Sequence, residues 1–315
     1  MSSTEQIGWF GLGSMGLGMA LNLQKHFSAC GLPPLLYSNR TLSRGDPLRD
    51  AGAIPEEHFE MVLKKSTIIF TMISNDEVLD GLVTKALAAG ISLQDKIWVD
   101  TSTVHPNTCK DVSARLGKQG VAFIASPVFG TSAVAATGEL IFAMAGPAPS
   151  LKRVEPYIID VMGRKIINLG EEAHKSCLLK ISGNIFVIGF QELASEGLVL
   201  AEKTGLGVDQ MEEFIGDMFG TVMQSYSKRM SSGSFAPPLN QQPGFLISLA
   251  IKDVGHAITL AEEHGVTLPT VDIAMSRLKA AREFAGYHLD SSAVYGISRQ
   301  EAALPFWSKN SRQGD

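Results

Sequence analysis

Cysteine is scarce in this chain, and its placement excludes two common uses of the residue. The three cysteines, Cys30, Cys109 and Cys177, are far apart and form no C-x-x-C pair. This excludes a disulfide framework and a cysteine zinc site of that spacing, so we expect reduced, buried thiols. We assign neither a metal nor a catalytic role to three histidines that lack a partner at metal-ligand spacing: His105, His174 and His256.

The chain also lacks any block of basic residues. Its net charge is −5, which gives no electrostatic basis for binding nucleic acid or an anionic membrane. No apolar run reaches the ~18 residues of a membrane span, and no basic segment followed by an apolar one precedes the first predicted strand. We therefore expect a cytoplasmic protein whose partner is a small molecule, with no nucleic acid and no membrane.

The most informative motif stands near the start of the chain. The apolar run Ile7–Phe10 leads directly into Gly11-Leu12-Gly13-Ser14-Met15-Gly16, and a helical pattern follows. This G-x-G-x-x-G order of strand, turn and helix is typical of a dinucleotide-binding βαβ unit. The first glycine is expected to make the tight turn, the second to let a pyrophosphate approach, and the third to permit close helix packing. The motif predicts nucleotide binding.

The periodicity of the sequence divides the chain into two parts. At 315 residues it is long enough for two domains, since one core seldom serves more than about 250–300 residues. We predict strands at Ile7–Gly11, Leu35–Ser38, Thr67–Met72, Lys96–Asp100, Ala122–Ala125, Ile141–Ala145 and Ile166–Leu169. After residue 171 helical patterns dominate. They predict helices at Cys177–Thr204, with Ser176 as N-cap, and at Asp209–Phe219, Ile247–His264 and Val271–Ala285, while the tail from Leu304 is expected to fray.

The fold class predicted from this pattern is α/β. We expect a doubly wound, Rossmann-type sheet domain over residues 1–170, which binds the dinucleotide. An all-α domain over residues 171–315 is expected to serve the substrate and oligomerisation.

The end of the second predicted strand indicates which dinucleotide binds. NAD-specific folds place a carboxylate about 20 residues beyond the glycines to bind the ribose 2′-hydroxyl. Between Leu17 and Gly45 this chain has no Asp or Glu and offers Asn39-Arg40-Thr41, with Arg44 nearby. A guanidinium and a hydroxyl suit a 2′-phosphate, so NADP (NADPH) is favoured over NAD. The alternative is that Arg40 is only a solvated surface residue.

Two further stretches contain residues suited to chemistry. The fourth strand is followed by Asp100–Pro106, whose hydroxyls could meet the nicotinamide or a substrate carboxylate, or could simply cap a helix through Ser102 or Thr103. Lys180 and Asn184 stand i,i+4 on the long predicted helix and share a face. A buried lysine can serve in proton transfer, although a structural lysine that extends its ammonium to solvent is the alternative.

Together these elements resemble the β-hydroxyacid dehydrogenase family, which contains 3-hydroxyisobutyrate dehydrogenase and is related to 6-phosphogluconate dehydrogenase. The resemblance covers nearly the whole chain and includes Lys252-Asp253 in the later helical region. It implies that Lys180 is the acid/base catalyst, that Asn184 holds the substrate, and that subunits form dimers or tetramers through the helices. It also implies cofactor contacts from Met72, Ile73, Ser74, Thr103 and Lys252.

The chain departs from the family pattern at two places. Where the family has Asp-Ala-Pro-Val-Ser-Gly-Gly, this chain reads Ala125-Ser126-Pro127-Val128-Phe129-Gly130-Thr131, so a serine and a glycine become Phe129 and Thr131. His174 and Ser176 stand where glycines are usual ahead of the lysine. These changes affect the expected substrate more than the expected reaction class.

The resulting hypothesis is an NADP-dependent oxidoreductase that interconverts a 3-hydroxy acid and its oxo acid or semialdehyde by hydride transfer. Lys180 is expected to donate or accept the proton, and the expected substrate contacts are Ser102, Thr103, Phe129, Gly130, Thr131, Lys180 and Asn184. Two alternatives stay open. One is an imine reductase, whose relatives generally lack the lysine; the other is a non-catalytic NADP-binding module that binds NADPH without turnover.

Overall fold

The computed structural model describes residues 5–312 of the chain. The chain divides into two compact units, Met1–Lys180 and Ile181–Asp315. One helix, α8 (His174–Thr204), begins in the first unit and continues into the second.

The first unit contains a six-stranded parallel sheet. Its strands are β1 (Ile7–Phe10), β2 (Leu36–Ser38), β3 (Ile54–Pro55), β4 (Ile68–Thr71), β5 (Ile97–Asp100) and β6 (Ala122–Ala125). Their order is β3-β2-β1-β4-β5-β6, with every neighbouring pair parallel. The order reverses between β1 and β4, and in such sheets ligands bind at the carboxyl ends of the strands beside this point. The predicted doubly wound fold is confirmed.

Helices cover both faces of this sheet. They are α1 (Ser14–Cys30), α2 (Asp46–Asp50), α3 (Phe59–Lys65), α4 (Asp76–Ala88), α5 (Pro106–Gly117), α6 (Ser132–Ala136) and α7 (Ala148–Val154). Alternate strand residues enter two separate cores: Ile68 and Phe70 pack with α1 on one side, while Ile69 and Trp98 pack with α3 and α5 on the other. Burial on both faces explains why these strands read as continuous apolar runs.

A second, smaller sheet completes the first unit. Its strands are β7 (Val128–Phe129), β8 (Leu140–Met144) and β9 (Gly163–Asn168), where β7 is antiparallel to β8 and β8 is parallel to β9. The seven predicted strands all occur, with ends that differ by a few residues. The two-residue strands β3 and β7 are too short to produce a periodic signal and were not predicted.

The second unit is helical. Besides most of α8 it contains α9 (Val208–Phe219), α10 (Thr221–Ser231), α11 (Ile247–Glu263), α12 (Pro269–Ala285) and α13 (Val294–Glu301). The predicted all-α character is confirmed, although α10 and α13 were not predicted. Polar residues outnumber apolar ones in α10, with three serines, one lysine and one arginine among its eleven residues, so it is less conspicuous than the more apolar helices around it.

Two boundary predictions were wrong. The long helix begins at His174, so Ser176 lies inside its first turn and does not cap it. The helix extends further because Ala173 and Cys177 are buried in the core of the first unit. The tail is packed as far as residue 312: Phe306 is buried against Phe235 and Trp307, and this aromatic packing outweighs the polar composition around it. Residues 313–315 of the tail lie outside the described residues.

Within residues 5–312, α8 is long and apolar enough to cross a membrane by length and composition alone. One of its faces is nevertheless polar and buried: Gln191, Glu192 and Ser195 lie inside the second unit, and Glu192 pairs with Arg277. A core helix of a globular unit passes the same length and composition test, and these buried polar contacts fit a core helix.

Candidate active site

The glycine loop has the close contacts that a dinucleotide-binding turn needs. Gly11 has φ +101°, and a Cβ there would lie 2.0 Å from the Met72 carbonyl oxygen. A Cβ on Gly16 would lie 2.1 Å from the Gly11 carbonyl oxygen, so helix α1 packs tightly on the turn. A Cβ on Gly13, by contrast, would meet nothing within 4 Å. The turn and the helix need glycine at the first and third positions, and Gly13 leaves open space in which a phosphate fits.

The N-terminus of α1 faces solvent. Gly13 and Ser14 are exposed, and Gly13, the N-cap residue, provides no side-chain cap for the first backbone N–H groups of the helix. Leu12 is buried and Met15 is half-buried, which anchors the turn in the core. Uncapped N–H groups at the positive end of a helix dipole are suited to binding phosphate. These residues fit a dinucleotide cofactor.

Asn39 connects the end of β2 to the glycine loop. Its Oδ1 accepts a hydrogen bond of 2.9 Å from the Leu12 backbone N–H, and its Nδ2 donates one of 2.7 Å to the Thr41 carbonyl oxygen. Arg40 and Thr41 are exposed, and within residues 5–312 the Arg40 side chain makes no hydrogen bond or ion pair. Asn39 therefore shapes the loop, while the Arg40 guanidinium is available to a ligand.

A buried polar network supports the loops after β4 and β5. Asp100 Oδ1 accepts hydrogen bonds from Thr71 Oγ1 at 2.7 Å and from Ser102 Oγ at 2.8 Å. Ser102 Oγ in turn accepts one of 2.8 Å from the Ile73 backbone N–H. Ser102 is only 1% exposed, so its hydroxyl holds the loop after β4 instead of facing an open site. The sequence did not reveal this link.

The other predicted contacts on these two loops are more accessible. Met72, Ile73 and Thr103 are half-buried, and Ser74 is exposed. The loop from Ser74 ends at Asn75, which caps α4 by accepting a hydrogen bond from the Val78 N–H. Both loops stand at carboxyl ends of neighbouring parallel strands, where the topology places a ligand.

Phe129, Gly130 and Thr131, which stand where the family has Ser-Gly-Gly, have distinct structural roles. Gly130 has φ +137°, and a Cβ there would lie 2.6 Å from Leu140, so glycine is required. Thr131 caps α6 by accepting a hydrogen bond of 3.4 Å from the Val134 N–H. Phe129, on β7, pairs with Ile141 on β8. Because successive strand residues point to opposite faces, Phe129 turns away from the core that holds Val128.

Phe129 meets Lys180. The Lys180 Nζ lies over the phenyl ring, 4.6 Å from its centroid, a cation–π geometry. Lys180 is half-buried on α8, and Cys177, one turn earlier, is fixed in the core of the first unit. The structure thus brings together two predicted site residues that are 51 positions apart in the sequence. No motif in the sequence predicts this contact.

The thiol of Cys177 lies beside that of Cys109, which hydrogen-bonds it. The pKa of Cys177 is raised well above its usual value, first by this hydrogen bond, then by burial and by the negative charge of nearby groups that include Asp100 and Asp76. Within residues 5–312 all three cysteines are free, and Cys30 is exposed, contrary to the expectation that every thiol is buried. A raised pKa keeps the buried Cys177 thiol protonated and unreactive.

Asn184, Lys252 and Asp253 form a cluster in the second unit. Asn184 Nδ2 donates a hydrogen bond of 2.7 Å to Asp253 Oδ2, and Lys252 Nζ lies 3.1 Å from Asp253 Oδ1. Asn184 and Asp253 are buried, and Lys252 is half-buried. Asp253 fixes which way the Asn184 amide points, a role that the sequence motif did not reveal. The continuous helix places Asn184 one turn after Lys180.

Family models match both parts of the chain. Residues 6–170 match a model described as the NAD binding domain of 6-phosphogluconate dehydrogenase. Residues 177–298 match one described as NAD-binding of NADP-dependent 3-hydroxyisobutyrate dehydrogenase.

Individual proteins match over nearly the full chain. The glyoxylate/succinic semialdehyde reductase 1 of Arabidopsis thaliana is 30% identical over 92% of this chain and 96% of its own length. The NADH-dependent oxidoreductase ucdB of Aspergillus ustus is 28% identical over 93% of this chain and 98% of its own. Among solved structures, the 3-hydroxyisobutyrate dehydrogenase of Mycobacterium tuberculosis with L-serine superposes with a TM-score of 0.79 at 24% identity, covering 94% of this chain and 100% of that one.

Proposed function

The chain belongs to the 3-hydroxyisobutyrate dehydrogenase-like family of NAD(P)-binding oxidoreductases, and from that premise we propose that it uses NADP to interconvert a 3-hydroxy acid and its oxo acid or semialdehyde. The observation that supports this most is Lys180, whose ammonium is held over the Phe129 ring in the same unit as the glycine loop. A positioned lysine is what a proton donor to a carbonyl oxygen requires.

Gly13 and the N-terminus of α1 bind the pyrophosphate, and Arg40 binds the 2′-phosphate. When bound, the nicotinamide supplies or accepts the hydride. Lys180 donates a proton to the carbonyl oxygen during reduction and accepts it during oxidation. Asn184, oriented by Asp253, holds that oxygen.

The other predicted contacts complete the proposed site. Thr103 and the Gly130–Thr131 backbone hold the acid end of the substrate. Ile73, Ser74 and Lys252 contact the cofactor. Ser102 acts through the Ile73 loop that its hydroxyl holds. A cytoplasmic location belongs to the same proposal, and the adjacent free thiols of Cys109 and Cys177 fit a reducing compartment.

A substrate panel separates this proposal from its two alternatives. Oxidation of NADPH and NADH is followed with semialdehydes, 3-oxo acids and cyclic imines. The proposal requires turnover of a semialdehyde or oxo acid. Turnover of imines alone would identify an imine reductase, and tight NADPH binding without turnover of any compound would identify a binding module.

We expect the Arg40→Ala variant to lose about 10- to 100-fold in kcat/KM for NADPH and little for NADH. The reason is that charge-assisted hydrogen bonds contribute ~1.5–3 kcal/mol, and only NADPH has the 2′-phosphate that Arg40 can bind. Steady-state kinetics with both cofactors at saturating substrate provide the measurement.

Arg49→Ala is the matched control for this experiment. Arg49 is an exposed arginine nearby that pairs with Asp46, and its loss is expected to affect neither cofactor. If Arg40→Ala loses activity equally with both cofactors, Arg40 does not bind the 2′-phosphate. A wild-type enzyme that prefers NADH would also contradict this role. NADH is the cofactor in the name of the Aspergillus ustus relative.

We also propose that the helical unit forms a homo-oligomer through α8. Phe186, Leu193 and Leu200 are 74%, 65% and 63% exposed and recur every seven residues, so they form one apolar stripe. Further exposed apolar side chains occur on α9 and the start of α10: Phe214, Met218, Phe219 and Val222. Contiguous apolar surface of this kind marks association sites, and a second copy of the chain presents the same stripe.

A charge placed on the stripe tests this proposal. Leu193→Lys is expected to weaken self-association at least about 10-fold, because two stripes facing each other would bury unpaired ammonium groups. Light scattering coupled to gel filtration, over a range of concentrations, measures the mass. Gln300→Lys adds the same charge at an exposed position of α13 and is expected to leave the mass unchanged. A monomeric wild type, or a Leu193→Lys variant with unaltered mass, would contradict the proposal.

A further inference from the structure

A continuous line of hydrogen bonds, three of them buried and one partly buried, runs beneath the loops that follow β4 and β5. Trp98 Nε1 donates to Thr71 Oγ1 at 3.0 Å, and Thr71 Oγ1 donates to Asp100 Oδ1. Ser102 Oγ also donates to that oxygen and accepts from the Ile73 N–H. The network joins the two strands on one side of the point where the strand order reverses.

Asp100 is the charged member of this network. It is 2% exposed, and two hydroxyl groups donate to the same carboxylate oxygen. Hydrogen bonds donated to a carboxylate favour its ionised form. A neutral oxygen could accept the same two hydrogen bonds, so the charge is a property of Asp100 beyond the bonds that it accepts.

We propose that the Asp100 carboxylate makes this site bind the oxidised nicotinamide cofactor more tightly than the reduced one. This inference rests on the proposed function, in which Ile73 and Ser74, on the loop after β4 that Ser102 holds, contact the cofactor. Asp100 acts as a positioning residue for both loops through Ser102. It also adds a fixed negative charge to the wall of the site.

The charge of the nicotinamide ring determines the direction of the effect. The oxidised ring is cationic and the reduced ring is neutral, so a buried anion attracts only the oxidised form. The same attraction stabilises the positive charge that develops on the ring while a carbonyl is reduced. The charge of Asp100 therefore favours the carbonyl-reduction step, whereas its hydrogen bonds favour binding of both cofactor forms.

Equilibrium binding separates the charge from the hydrogen bonds. Titration calorimetry measures the Kd of NADP⁺ and of NADPH for the wild type, Asp100→Asn and Ser102→Ala. Asparagine keeps an acceptor oxygen for Thr71 and Ser102 but removes the charge. We expect Asp100→Asn to weaken NADP⁺ binding about 3- to 30-fold more than NADPH binding. This is the effect expected for the loss of one buried charge when the effective dielectric constant lies between those of protein and water. We expect Ser102→Ala, which keeps the charge, to weaken both forms by similar factors.

Each outcome decides one claim. A wild type that binds neither form would overturn the proposed function, and with it this inference. If the wild type binds both forms and Asp100→Asn has the same ratio of NADP⁺ Kd to NADPH Kd as the wild type, the inference is overturned and the proposed function is not. If Asp100→Asn does not fold, as judged by its circular dichroism melting curve, Asp100→Ser provides a second neutral variant for the same comparison. A changed ratio of the two Kd values in Ser102→Ala would also contradict the inference, because this variant keeps the Asp100 charge.

Discussion

Replacing Lys180 with alanine is expected to lower kcat by about 10²- to 10⁴-fold, the usual contribution of a positioned general acid/base. The Lys180 ammonium is held over the Phe129 ring, and the next turn of the same helix presents Asn184. Removing it deletes the proton donor without touching the glycine loop. NADPH affinity, measured by titration calorimetry, should therefore stay within a few-fold of the wild type.

Lys175→Ala is the matched control, because Lys175 lies on the same helix, is exposed, and pairs with Glu172. It is expected to retain wild-type kcat. A Lys180→Ala variant with near-wild-type kcat on any good substrate would eliminate Lys180 as the acid/base group. Loss of NADPH binding in that variant would instead indicate a damaged fold.

Replacing Phe129 with serine is expected to change substrate preference. A phenyl ring excludes water and cannot hydrogen-bond a carboxylate, so we expect the wild type to favour substrates with an apolar group beside the reacting carbon. One or two methylenes in an apolar pocket change kcat/KM by about 10- to 200-fold. Along a homologous series of semialdehydes, Phe129→Ser should gain activity on the smallest and most polar member relative to the largest.

Because of the cation–π contact, the experiment must compare the ratios of kcat/KM between substrates within each variant. Phe129→Ser also removes the ring that holds the Lys180 ammonium, which is expected to lower activity on every substrate. That general loss cancels when substrates are compared within one variant. Phe129→Leu, which removes the ring but keeps an apolar side chain, should retain the wild-type order. An unchanged order in folded Phe129→Ser would show that Phe129 does not line the substrate site.

The cofactor end of the site could be predicted from sequence because local backbone geometry specifies it. Gly11 needs a positive φ and a Cβ-free approach to Met72, and Gly16 packs directly on the turn, so the spacing of glycines records the geometry. The parallel order of the sheet follows from alternating strand and helix patterns. Buried strands such as β4 and β5 are visible as apolar runs because both of their faces are covered.

The rest of the site depends on contacts between distant segments, which no local pattern records. The Phe129–Lys180 contact requires β7, a strand of two residues. Asp253 meets Asn184 across 69 positions, and Ser102 meets Ile73 across 29. The same cause explains the tail, where the aromatic partners of Phe306 include the distant Phe235. In each case tertiary packing gives a residue a role that its immediate neighbours in the sequence do not indicate.

Transfer of deuterium from the cofactor tests the central claim most directly. NADPH deuterated at nicotinamide C4 is incubated with the wild-type enzyme and the best semialdehyde or oxo acid of the panel, and the product is analysed by NMR. We expect deuterium on the carbinol carbon of a 3-hydroxy acid, transferred from one face of the nicotinamide ring. Cofactor oxidation without deuterium at that carbon, or deuterium transfer to imines alone, would contradict it.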